Sequence, residues 1–72
     1  MASLPVISGR QAVKVFEKFG FLFYRQKGSH MILYHATGRH LSVPDHKELD
    51  RGTLRALIRG AGITVEEFVE QL

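Results

Sequence analysis

Cysteine is absent from the 72 residues, so no disulfide can staple the fold and no thiolate can hold a metal. That absence fits a reducing compartment, and the cytoplasm is the default expectation. No run of apolar residues approaches the ~20 needed to cross a bilayer. The opening Met1-Ala2-Ser3-Leu4-Pro5-Val6-Ile7-Ser8 has neither a basic n-region nor an apolar stretch of signal length, so a soluble protein is expected. Acids are scarce over most of the chain. Residues 1–62 carry all ten Lys and Arg against only Glu17, Asp45, Glu48 and Asp50, a balance of +6, whereas residues 63–72 carry Glu66, Glu67 and Glu70 and no base. A basic body suits an anionic partner, with nucleic acid the usual one for a small protein of high pI. An ordinary solvated surface is the competing account. At this length a single domain over residues 1–72 is expected, with one core and room for one site.

Behind Ser8, a good N-cap, the apolar residues Ala12, Val13, Val15, Phe16 and Phe19 recur at near-helical spacing as far as Gly20. This predicts a helix of about three turns stopped by glycine. Lys14 and Lys18 fall on its other face, four residues apart, as a solvent-facing pair. From Phe21 the composition turns aromatic and β-favouring through Lys27, and after Gly28-Ser29 it does so again from His30 to His35. Two antiparallel strands joined by a tight turn are the simplest reading. A second turn, Ala36-Thr37-Gly38-Arg39, leads into His40-Leu41-Ser42-Val43, where Leu41 and Val43 alternate with polar neighbours and Pro44 ends the strand. The first two strands are apolar on both faces, which leaves their sidedness open.

A polar connection, Asp45 to Asp50, precedes a second amphipathic helix. Leu54, Leu57, Ile58 and Ala61 follow i, i+3, i+4, i+7, while Arg51, Arg55 and Arg59 form a ridge on another side before Gly62. The ridge reads either as a solubilising face or as a row of phosphate contacts. Thr64-Val65-Glu66-Glu67 has the spacing of a capping box, and Ile63 stands where a staple residue would pack toward Phe68. Glu66 and Glu67 thus have a structural reason to sit at a helix start. The expected fold class is α+β, ordered α-β-β-β-α with a short extra C-terminal helix: a three-stranded antiparallel sheet with helices on one face.

Chemistry must come from the four histidines or their neighbours. His30 and His35 are five apart on one strand and so point to opposite faces, which prevents them from acting as neighbouring zinc ligands. With His40 and His46 they make no metalloenzyme spacing, and neither metal nor cofactor is expected. Ser29 next to His30 is a poor nucleophile–base pair, because adjacent side chains diverge along an extended chain. An acid–base role for His30 is better supported. Gly28 allows close backbone approach, and Ser29, Lys27 and Arg25 offer donors for a phosphate. RNA already carries the attacking hydroxyl as its 2′-OH, so a base, a phosphate clamp and in-line geometry suffice for cleavage. Residue chemistry alone also allows an ordinary surface histidine after a turn.

The segments Gly20-Phe21, Arg25-Gln26-Lys27-Gly28-Ser29-His30, Val43-Pro44 with His46, Arg51-Gly52-Thr53-Leu54-Arg55 and Ala61-Gly62-Ile63 occur in an order and at distances that closely resemble the HicA (YcfA-like) toxins of bacterial toxin–antitoxin pairs. The resemblance runs from Ile7-Ser8-Gly9 to Phe68. It implies a fold like the double-stranded-RNA-binding domain and the activity of an mRNA interferase, with the glycine-serine-histidine histidine, here His30, as the catalytic residue. It also implies a HicB-type antitoxin that binds the toxin and covers that histidine. DNA enters only indirectly, through the antitoxin, and no membrane is involved. The donor of a proton to the leaving 5′-oxygen is left open among His35, His46, a lysine and water. A small RNA-binding module without chemistry and an adaptor that binds protein through an apolar sheet face are the competing classes.

Overall fold

The computed structural model describes residues 3–72. Helix α1 (Gly9–Lys18) starts at Ser8, whose hydroxyl accepts from the Gln11 N–H while the Gln11 side chain accepts from the Ser8 N–H, a reciprocal capping box. Strands β1 (Leu22–Lys27), β2 (His30–Tyr34) and β3 (His40–Pro44) form one antiparallel sheet in the order β1-β2-β3. Helix α2 (Arg51–Ala61) and the short α3 (Val65–Glu70) complete the chain. This is the α+β order α-β-β-β-α with an extra C-terminal helix that the sequence predicts.

Period-two alternation divides β2 and β3 sharply. Met31, Leu33, Leu41 and Val43 are buried against Ala12, Val13 and Phe16 of α1 and Leu54, Leu57 and Ile58 of α2. Phe16 is the hub, its ring centroid 6.1 Å from that of Phe21 and 5.2 Å from that of Phe68. Each of these three rings is fully buried, and each removes enough apolar surface to be worth about 1.5–3 kcal/mol. All helices therefore lie on one side of the sheet. The residues between the buried ones, His30, Ile32, Tyr34, His40, Ser42 and Pro44, point to the other side, which no element covers among the described residues.

The sidedness left open by the sequence is resolved by which strands the helices cover. Strand β1 is an edge strand, and every residue from Leu22 to Lys27 is exposed; only Phe21, just before it, enters the core. Pairing with β2 slips at Tyr24, a bulge between Phe23 and Arg25 that adds local twist and disfavours edge-to-edge association. The connection from Asp45 to Asp50 is less polar in its role than in its composition. It buries Leu49, whose N–H donates to the Ile7 carbonyl, and Asp50 caps α2 by accepting from the Gly52 and Thr53 N–H groups. The third helix begins with the predicted Thr64–Glu67 capping box. Lys18 reaches the Gln71 carbonyl at 2.9 Å just beyond α3, so one of the two α1 lysines is tied to the fold.

Candidate active site

The uncovered face is laid out by the strand register in three rows. Lys27, His30 and Pro44 form the row next to the β1–β2 turn; Arg25, Ile32 and Ser42 form the middle row; Leu22, Tyr34 and His40 form the far row. Directly paired residues share a face, so Lys27 and Arg25 project on the same side as His30. The rows contain no carboxylate.

His30 is exposed, and its Nδ1 lies 2.9 Å from the Ser42 hydroxyl on β3. With the proton on Nδ1 donated to Ser42, Nε2 presents its lone pair to solvent, the form that a general base requires. Ser42 is reached by crossing from β2 to β3 and moving two residues along, a diagonal pairing that residue order does not display. It is the contact at the candidate site that sequence reasoning missed. The alternation around Leu41 and Val43 puts Ser42 on the wet face; only the register places it against His30.

The turn beside this histidine is held by two flanking residues, Gln26 and Asp45. Gly28 has φ +59°, a backbone state that side-chain-bearing residues rarely adopt and that the first central position of a two-residue hairpin turn demands. The Gln26 amide donates to the Gly28 carbonyl at 3.2 Å and to Asp45 Oδ2 at 3.3 Å. The Asp45 N–H donates to the Ser29 carbonyl at 2.7 Å, and its carboxylate receives two hydrogen bonds from Arg10, at 3.1 and 3.2 Å. Arg10 holds the Asp45 carboxyl below the usual carboxylate range, chiefly by hydrogen bonding, with the Gln26 amide adding to the effect. Gln26 and Asp45 thus fix the backbone on which Gly28, Ser29 and His30 are carried.

The other histidines have different situations. His35, just beyond β2, is half-buried with its ring 4.8 Å from that of Phe21. Its Nδ1 accepts from the Thr37 N–H at 3.1 Å, which leaves Nε2 as the donor to the Phe19 carbonyl at 3.0 Å. Both nitrogens are engaged within the fold, on the helix side, so His35 is removed from the proton-donor candidates for a ligand on the open face. Gly20, at φ +93°, brings its backbone so close that a Cβ there would stand 2.9 Å from His35 Nε2. His46 carries the carbonyl that accepts from the Gly9 N–H, tying the 45–50 connection to α1. His40 belongs to the far row, its ring 6.1 Å from that of Tyr34. Among the described residues no three His, Cys, Asp or Glu side chains gather as metal ligands would.

The arginine ridge is not part of this constellation. Arg51, Arg55 and Arg59 are exposed on α2, on the opposite side of the sheet from His30, and Arg51 Nε donates to the Leu4 carbonyl at 3.3 Å. Arg39 serves the same helix by donating to the Gly60 carbonyl at 3.0 Å, a cation placed where the helix end is negative.

The family model described as the HicA toxin of bacterial toxin–antitoxin systems matches residues 9–63, a span from the first residue of α1 to the end of the α2 stop. No curated protein matches the chain.

Proposed function

On the premise that this chain belongs to the HicA toxin family, as the match over residues 9–63 establishes, we propose that it is a metal-independent endoribonuclease that cuts mRNA with His30 as general base. The observation that carries this reading is the placement of His30 on a carboxylate-free sheet face, hydrogen-bonded through Nδ1 to Ser42 and paired across the hairpin with Lys27. Nε2 of His30 takes the proton of a ribose 2′-hydroxyl. The freed oxygen attacks the adjacent phosphorus, the bond to the 5′-oxygen breaks, and that oxygen leaves with a proton from His46, a lysine or solvent. The products are a 2′,3′-cyclic phosphate and a 5′-hydroxyl. Lys27, Arg25 and the Ser29 hydroxyl are the donors for the charge that builds on the phosphate, and Gly28 lets the backbone come close. Cleavage of mRNA arrests translation and growth until a HicB-type antitoxin covers the same face.

A positioned base of this kind contributes ~10²–10⁴-fold. His30→Ala is therefore expected to lower RNA cleavage by at least about a hundredfold while leaving the thermal transition and RNA binding in place, and a strand with 2′-deoxyribose throughout should bind without being cut. Undiminished cleavage by purified His30→Ala protein would overturn the assignment. Binding of both strands with cleavage of neither, by the unsubstituted protein, would identify a non-catalytic RNA-binding module.

A further inference from the structure

The far row of the open face is not used by the chemistry just described. Tyr34 is 47 % exposed, Tyr24 64 % and Leu22 72 %, although each is a type of side chain that a small protein gains by burying. They are not scattered. The bulge in β1 turns Tyr24 toward Tyr34, so that the two rings meet edge to face with centroids 5.2 Å apart, and His40 continues the series at 6.1 Å from Tyr34. The Arg25 guanidinium lies 5.9 Å from the centre of the Tyr24 ring, within cation–π range. The result is a strip of aromatic rings across all three strands, contiguous with the row that holds Arg25 and Ser42 and the row that holds Lys27 and His30.

We propose that Tyr24, Tyr34 and His40 form a base-stacking subsite for unpaired RNA, which receives bases flanking the phosphate held at His30. The inference rests on the ribonuclease reading for its direction and names the substrate class: a single strand whose bases are free to splay onto the sheet. Three features select RNA as the occupant. The face carries Lys27, Arg25 and two histidines without a carboxylate, which is the charge complement of a polyanion. Exposed rings stack on any base, because every base has a π-face, and a guanidinium beside the ring adds to that attraction. Tyr34 is four residues from His30 on the same strand and the same face, about 13 Å at ~3.3 Å per residue, so a strand anchored by its phosphate at His30 lays its neighbouring bases toward the rings. A duplex keeps its bases stacked on each other and offers none to the strip.

The test uses the full chain in a His30→Ala background, so that bound RNA stays intact. The ligands are a short fluorescein-labelled 2′-O-methyl oligoribonucleotide of mixed sequence and the same backbone with its bases removed, with affinities read by fluorescence anisotropy. Tyr34→Ala is expected to weaken binding of the base-bearing strand roughly 5- to 150-fold and to leave the base-free strand unchanged; Tyr34→Phe, which keeps the ring, should restore affinity. Equal affinity of Tyr34→Ala and its parent for the base-bearing strand would overturn the subsite. So would an equal loss on both ligands, since that marks a backbone or folding effect. Loss of antitoxin binding with RNA affinity intact would assign the strip to the protein partner and also overturn it. Cleavage of unmodified RNA by the protein with His30 in place is scored separately, so failure of the subsite and failure of the ribonuclease reading give different patterns.

Discussion

His30 begins β2 and His35 follows its last residue, and the two rings end up on opposite sides of the sheet. On the helix side, His35 has each ring nitrogen committed to a backbone group and its ring tilted against that of Phe21. On the open side, His30 is held at Nδ1 alone, by a hydroxyl that can accept its N–H hydrogen bond. The same residue type is thus a clamp with both nitrogens engaged at one end of a strand and a ring with one nitrogen open to solvent at the other. Period-two geometry separates them, and the supply of hydrogen-bond partners decides what each can do.

Substituting the two histidines breaks this comparison most directly. The His30→Ala change predicted above lowers cleavage by orders of magnitude without moving the thermal transition. His35→Ala should do the reverse. It leaves the part-buried Phe19 carbonyl without its donor and removes a ring from Phe21, at a cost of about 1–3 kcal/mol, and each kcal/mol lowers the midpoint by about 4–8 °C in a domain of this size. Cleavage per folded molecule should be unchanged. Calorimetry and cleavage rates on both proteins check the pair; a His35→Ala protein with full stability and lost cleavage would reverse the roles.

A smaller effect is expected where the open-side histidine is oriented. Ser42→Ala removes the single hydrogen bond that sets the His30 ring, and a neutral hydrogen bond is worth about 0.5–1.5 kcal/mol. Cleavage turnover should fall roughly two- to tenfold with KM for RNA little changed, and Ser42→Thr, which keeps the hydroxyl, should recover most of the rate. A change in KM without a change in turnover would move Ser42 from positioning the base to binding the strand.

Much of this arrangement is legible in residue order, and the limits have a physical pattern. Helix starts at Ser8 and Thr64 are local events, a side chain meeting a backbone N–H three residues on, so spacing reveals them. The opposite facing of His30 and His35 is equally local, a matter of odd separation along a strand and the residue that follows it. What residue order withholds is long-range. Leu22, Phe23 and Tyr24 look like core residues until the helices prove to bury residues of β2 and β3 but none of β1, and their exposure follows from what covers each strand rather than from hydropathy. Ser42 becomes a partner of His30 only through the register that crosses the 36–39 turn. The Arg51–Arg55–Arg59 ridge has an inviting charge pattern, yet the sheet stands between it and His30. Asp45 appears as one acid in a polar connection until the fold brings it to Arg10 and Gln26.

That last contact supplies the mildest test, because it acts on the turn that carries His30 rather than on the histidine itself. Asp45 keeps its carboxyl ionised below the usual carboxylate range through the Arg10 hydrogen bonds. The unfolded chain, lacking Arg10 nearby, binds that proton at higher pH, so stability rises with pH across the carboxylate range. The contribution is complete above the unfolded value and drains away as pH falls through the lowered folded one. Asp45→Asn removes the ionisation but keeps the backbone N–H that donates to Ser29. The substituted protein should therefore melt slightly below its parent at neutral pH, and the difference should close as the medium is acidified past the point where Asp45 itself is protonated. Melting curves across that acid range measure it. A gap that persists unchanged into strong acid would mean that amide-for-carboxylate replacement disturbs the turn by shape, and that the Arg10–Asp45 charge contributes nothing to holding Gly28 and Ser29 in place.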